Sequence, residues 1–185
     1  MQKFARVKTY FYTLAPEATV IKSPNASYVY GDLRELALKD ACMDVVTCIS
    51  TLEHVGMDNT RFYTADEQYQ ECDANAYLHV VDQLRRVTKP GGKVFITVPF
   101  GRSQNHGWFQ QFTATMIDEL VQRLSSGTSL VKYYSYTTNG WQLADQASCS
   151  QAEYFDIHKV GRKRTPDFAA AARAVACVEF VKATE

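Results

Sequence analysis

A chain of 185 residues that is 46% hydrophobic and 22% charged carries enough apolar material for one buried core, so a globular domain rather than disorder is the expectation. Its formal net charge of zero supplies no global field for nucleic acid or for an anionic membrane surface, so neither is expected as a partner. No apolar run reaches the roughly 20 residues that span a bilayer, no signal peptide is read at the start, and five cysteines without a C-x-x-C pair suit reduced, cytoplasmic thiols better than zinc or a disulfide framework.

In chain order, the residues from Tyr10 to Ile21 predict a short strand ending near Val20 and Ile21, followed by a turn at Ser23-Pro24-Asn25. Ser27 to Tyr30 is β-prone and runs into Gly31-Asp32. Asp44 to Ser50 is a continuous β-branched run of the kind buried on both faces of a parallel sheet. Between Asp73 and Val87, apolar residues at Tyr77, Val80, Val81, Leu84 and Val87 recur every three or four positions, the pattern of a helix with one buried stripe. Lys89-Pro90-Gly91-Gly92 is expected to stop that helix.

Lys93 to Val98 predicts the next strand, closed by Pro99 and Gly101. Met116, Ile117, Leu120, Val121 and Leu124 mark a second amphipathic helix ending at Ser125-Ser126-Gly127. β-prone stretches follow at 129–136 and 174–181, with a helical first turn at Pro166 between them. The alternation of strands and helices is an α/β layout without internal repeat or linker, so 1–185 is read as a single domain. Within it, 1–26 is a poorly defined amino-terminal part, 27–100 the core and 101–185 a substrate-side region.

Four pieces follow one another at short spacing: Gly31-Asp32-Leu33-Arg34-Glu35-Leu36, Met43-Asp44-Val45-Val46, Ser50-Thr51-Leu52-Glu53-His54-Val55, and Leu84 to Gly92 ending in K-P-G-G, with Thr97-Val98-Pro99-Phe100-Gly101 behind. This ordered set resembles the class I S-adenosylmethionine-dependent methyltransferases, in their small-molecule branch. The resemblance implies a Rossmann-like, mostly parallel seven-stranded sheet with helices on both faces and a cofactor beyond the carboxyl ends of the strands. It also implies that Asp32 accepts a hydrogen bond from the adenine amine, that Leu33 packs near the ring, and that Ser50, Thr51 and Leu52 line the methionine end.

His54 would stand near the reacting methyl group, where a neutral imidazole is able to take a proton from a nucleophile. Each position has a plainer reading beside it. Asp32 equally caps a turn, and Glu53-His54 equally forms a helix-start pair whose carboxylate favours the positive end of the helix dipole. His106 and Trp108, in a loop after the strand closed by Pro99, are candidates for substrate contact, while Trp108, Phe109 and Phe112 equally suit a core.

The resemblance has a gap. A complete member begins with a strand and a glycine-rich loop, then a second strand ending in an acid for the ribose; here all nine glycines lie at or beyond Gly31, and the place of that acid reads Val20-Ile21-Lys22. The expectation is therefore an amino-terminally shortened member that lacks the first strand, or one completed by a partner, with cofactor binding weakened or lost accordingly. Missing the sheet's central strand would leave edges unpaired, so a homo-oligomer, with exchanged or added strands, is expected.

The function implied is methyl transfer to an oxygen or nitrogen of a small molecule, in sugar or cell-envelope metabolism. The alternative is a degenerate binding or assembly subunit on the same fold; a nicotinamide enzyme would need the same missing loop. His79, His158 and the cysteines show no metal-ligand spacing, so no metal is expected. The basic run Lys159 to Arg164 reads as a solvated loop.

Overall fold

The computed structural model describes residues 7–16, 20–64, 66–156 and 171–184. The segment expected to turn helical at Pro166, the basic run from Lys159 and His158 lie outside them.

β1 (Thr9–Thr13) and β2 (Ala26–Tyr30) form a parallel two-stranded sheet, with Phe11 stacked on Tyr28 at 5.0 Å. The strand expected to end near Ile21 ends instead at Thr13, because Ala15-Pro16 breaks it; Val20 and Ile21 are exposed coil. A 3-10 turn at Leu33–Glu35 leads to β3 (Met43–Ile49). After β3 come a second 3-10 turn at Leu52–His54 and the one-turn helix α1 (Thr60–Tyr63).

α2 (Tyr77–Val87) buries all five residues of the predicted stripe, and α3 (Ala114–Arg123) buries Ile117 and Leu120. Burying each such side chain contributes about 1.5 to 3 kcal/mol relative to exposure. The Tyr77 hydroxyl donates to Glu119 at 3.1 Å and its ring meets Phe112 edge-on at 4.8 Å, tying α2 to α3.

β4 (Thr88–Pro99) starts at the foot of α2, so K-P-G-G is absorbed into an irregular strand start and does not stand as a separate turn. Gly92 is required there, because a Cβ would come within 2.9 Å of the Asp44 carbonyl oxygen. The short pair β5 (Gln104–Asn105) and β6 (Gln110–Gln111) follows, then β7 (Gly127–Thr137), β8 (Gly140–Ala144), the one-turn helix α4 (Gln146–Cys149) and β9 (Ala174–Lys182).

The main sheet has the order β3-β4-β9-β7-β8, parallel between β3 and β4 and antiparallel elsewhere. Among the described residues the parallel pairs are thus two, against three antiparallel pairs in the main sheet, where a mostly parallel sheet was expected. Val94, Ile96, Val98, Ala176, Val178 and Phe180 alternate inward to share one core with α2 and α3. On the opposite face Val45, Ile49, Leu130 and Leu143 are each at least half exposed, and no second helical layer covers it among the described residues.

Candidate functional site

The strand ends decide the site. β3 leaves the sheet at Ser50, whose φ of 47° puts a non-glycine residue in the left-handed region. Its amide is held by the Thr97 carbonyl at 3.0 Å, and the Thr51 hydroxyl donates back to the Ile49 carbonyl at 3.0 Å. The chain then turns through Leu52–His54 and reverses at Gly56, where φ is 74° and a Cβ would stand 2.1 Å from the Asp73 carbonyl oxygen. Only glycine fits that approach.

A cavity of about 1230 Å³ opens at these ends, lined by Thr13 and Leu14 after β1, by Asp32, Leu33 and Arg34 after β2, and by Ser50, Thr51 and His54 after β3. α1 and the turn before β6 add Phe62, Tyr63 and Trp108. Sequence positions far apart, among them Asp32, Leu33, Ser50, Thr51, His54 and Trp108, therefore meet around one space.

Leu52 and His106 do not line it. Leu52 is fully buried in the core behind the loop. The His106 ring stacks on Phe109 at 4.3 Å and 5°, with Nδ1 3.4 Å from the Asp156 carboxylate. Phe109 and Phe112 are core residues, as the plainer reading had it, whereas Trp108 is not.

Asp32 does two things. Its carboxylate accepts the Arg34 amide at 2.8 Å, capping the 3-10 turn, and the Arg34 Nε at 3.0 Å. These bonds, the side-chain one first, hold its pKa below the usual carboxylate value. Arg34 is shared with Glu71, at 2.7 and 3.1 Å, which ties the loop before α2 to the end of β2. The trio carries one net negative charge.

The His54 Nδ1 lies 3.1 Å from the Trp108 carbonyl oxygen, and its ring stacks on the indole at 5.0 Å. A carbonyl only accepts, so Nδ1 carries the proton and Nε2 holds the lone pair. Burial lowers the imidazole pKa, against the opposing pull of that carbonyl and of Asn59.

Glu53 stands in the first turn of the Leu52–His54 helix, as the helix-start reading had it, but as a buried group. It is 4% exposed, its Oε2 has no hydrogen-bond partner, and burial pushes its carboxyl up to about 7. Burial also pushes the neighbouring Cys48 thiol up to about 12, which leaves it un-ionised. All five cysteines are free thiols.

Sequence reasoning gave no role to Arg34, Glu71, Arg61 or Phe62; Arg34 lies within the Gly31 to Leu36 piece, and the other three sit in no recognisable motif. Only the sequence T-R-F-Y, helical in one turn, hinted that three large side chains share a short segment.

Residues 7–96 carry a methyltransferase domain. That span holds β1, β2 and β3, Asp32 and the Ser50 to His54 loop, so the methyltransferase domain supplies every strand end at the cavity; Trp108 comes from the sequence behind it. Among solved structures, the YcgJ protein from Bacillus subtilis is similar at 9% identity and a TM-score of 0.50, over 86% of this chain and 72% of that one. A methyltransferase from Methanosarcina mazei is 11% identical with a TM-score of 0.47, over 92% of this chain and 74% of that one.

The 1,6-didemethyltoxoflavin-N1-methyltransferase from Burkholderia thailandensis, solved with S-adenosylhomocysteine and its substrate, is 14% identical with a TM-score of 0.46. That match covers 88% of this chain, which spans 58% of the enzyme's length. No curated protein sequence matches the chain. No helix among the described residues is long and apolar enough to cross a membrane.

Proposed function

We propose that the methyltransferase domain transfers the methyl group of S-adenosylmethionine to an oxygen or nitrogen of a small molecule in the cytoplasm. The observation that carries this reading is the convergence of Asp32, Leu33, Ser50, Thr51, His54 and Trp108 on one cavity at the strand ends. The residues fit the cofactor's character. Asp32 and Leu33 offer an acceptor and an apolar face to a purine, Ser50 and Thr51 would line the methionine end, and the net negative trio of Asp32, Arg34 and Glu71 suits a cation. Leu52 and His106 act from behind the wall, holding the loops that line it.

The cofactor supplies a methyl group on a positively charged sulfur. The chain's own residues would position the acceptor, and His54 Nε2 would take the proton the acceptor releases on methylation. Trp108, Val55 and Met57 give that side of the cavity an apolar lining.

The same proposal includes a homo-oligomer. Among the described residues β3 is an edge strand of the main sheet and β1 pairs with β2 alone, so each presents an open edge. Val45 and Ile49 beside the β3 edge are 55% and 54% exposed, a template for an added strand from a second copy.

A second reading rests on Asp32 itself. Its carboxylate already accepts Arg34, as it would in a chain that keeps the fold as a binding or assembly subunit without catalysis. The sugar or cell-envelope role implied by the sequence resemblance has no further support. Calorimetric titration with S-adenosylmethionine and with its demethylated product separates the two: binding that weakens in Asp32→Ala is the expected result, and no heat at millimolar ligand overturns the enzymatic reading.

A further inference from the structure

One phenol oxygen meets both ends of the turn that carries Asp32. Tyr12 stands on β1, next to β2 in the parallel pair, where it lines the cavity and packs against the core. Its hydroxyl oxygen accepts the Ala37 amide at 3.3 Å, beyond the Leu33–Glu35 turn. The same oxygen passes Gly31, before the turn, so closely that a Cβ there would stand 2.5 Å from it. The three atoms nearest to that Cβ position all belong to Tyr12, and the Gly31 backbone lies outside the left-handed region. Glycine is needed there for the room it leaves to the phenol, and for nothing in its own dihedral angles.

The other contacts of this segment act elsewhere. Arg86, from α2, donates to the carbonyls of Leu36 and Leu38 at 2.8 Å each, and Leu36 is buried, so the far end is anchored in the core. The Gly31 amide donates to the Thr13 carbonyl at 3.0 Å and closes the ladder between β1 and β2 at the near end. The bonds from Arg34 to Asp32 lie within the turn, so they fix its shape and leave its placement open. Glu71 reaches the turn through Arg34, in a pair whose side chains are 38% and 31% exposed and which solvent weakens. Tyr12 reaches across the turn from one end to the other, and it does so from a ring fixed by the core.

We infer that Tyr12 is a positioning residue for the recognition of a 6-aminopurine. Its hydroxyl staples Gly31 to Ala37 and so sets where the Asp32 carboxylate stands in the cavity. A carboxylate held there accepts a hydrogen bond from an exocyclic amine, whereas a 6-oxo group places an oxygen lone pair against it and is disfavoured. Without the hydroxyl the turn pivots on its Arg86 anchor, Asp32 moves with it, and the discrimination between the two purines is lost. The inference rests on the proposed function in taking the occupant to be S-adenosylmethionine; the staple is a property of the chain itself.

The test titrates S-adenosylhomocysteine and its deaminated analogue S-inosylhomocysteine, by calorimetry, into the full chain as wild type, Tyr12→Phe, Gly31→Ala and the double variant. The wild type is expected to prefer the adenosyl ligand about tenfold, on the scale of one hydrogen bond. Each single variant is expected to bring that ratio to about twofold or less while its melting temperature stays that of the wild type. The double variant is expected to match Tyr12→Phe, because removing the hydroxyl oxygen leaves the Tyr12 Cζ, at 3.3 Å, as the nearest atom to the added Cβ. A merely structural role weakens both ligands alike and keeps the ratio. A ratio kept in Tyr12→Phe, or affinity losses that add in the double variant, overturns the inference and leaves the proposed function standing. No binding of either ligand to the wild type overturns the proposed function, and amide exchange followed by NMR then decides the staple: Ala37 is expected to exchange about fivefold faster in Tyr12→Phe, and equal rates overturn it.

Discussion

His54 and Trp108, 54 positions apart, are joined by a hydrogen bond of 3.1 Å from the imidazole Nδ1 to the indole residue's carbonyl oxygen, with the two rings stacked. One contact thus fixes a tautomer and builds an aromatic wall. Because burial lowers the imidazole pKa from its ordinary 6.5, His54 is neutral at neutral pH and its Nε2 is unprotonated.

The pH dependence follows from that sign. A base whose pKa lies below 6.5 is available across neutral pH and is lost by protonation as the pH falls, so kcat/KM for methyl transfer is expected to be flat above pH 7 and to decline in acid. His54→Ala is expected to lower kcat about 100-fold. An inflection above pH 7, or an unchanged profile in His54→Gln, contradicts the assignment.

Asp32 and Glu71 share Arg34 but do not share a role. Calorimetry with S-adenosylhomocysteine is expected to show about a tenfold loss of affinity in Asp32→Asn and less than a twofold change in Glu71→Gln. Both carboxylates are more than a third exposed, so neither substitution is expected to change stability by more than about 1 kcal/mol. Equal losses of affinity would mean that the two acids act only as a joint clamp on Arg34.

Glu53 predicts a stability that falls as the pH rises. Its folded pKa of about 7 lies above the ordinary 4.5, so the folded state binds the proton more tightly and stability is lost between those values, by about 3 kcal/mol on the scale of 1.4 kcal/mol per unit. Glu53→Gln removes the charge and keeps the shape. Its melting temperature is expected to match the wild type at pH 5 and to exceed it at pH 8; a substitution that destabilises equally at both values refutes the neutral, buried carboxyl.

The open edge of β3 predicts association. Light scattering on the wild type at micromolar concentration is expected to give a mass above the 20.9 kDa of one chain, and Val45→Lys is expected to return it to one chain by placing a charge at the edge. A wild-type monomer removes the oligomer from the proposal.

The parts of the fold legible in the sequence are those whose signal is local. The stripe from Tyr77 to Val87 repeats at helical spacing, and Met116 to Leu124 does the same, so both helices appear where expected. β8 was not expected, although Asn139-Gly140 between alternating residues is a hairpin signal. Val20 and Ile21 have high strand propensity, but the partner that selects Thr9 to Thr13 for β1 is β2, which pairs with it in parallel with twelve residues between them.

Composition, periodicity and short ordered motifs determined the α/β layout, the likeness to a methyltransferase domain, and five residues facing the cavity from the ends of β2 and β3, because each is written in near neighbours along the chain. Tertiary structure alone decided the rest. It paired Arg34 with Glu71, seated Arg61 on Trp108, turned Glu53 into the core, and withdrew Leu52 and His106 behind the wall. The physical reason is that a side chain's direction and its solvation are set by which elements meet across the core, and the lowered pKa of His54, the raised pKa of Glu53 and the shape of the aromatic wall exist only once β3, α1 and the turn before β6 have come together.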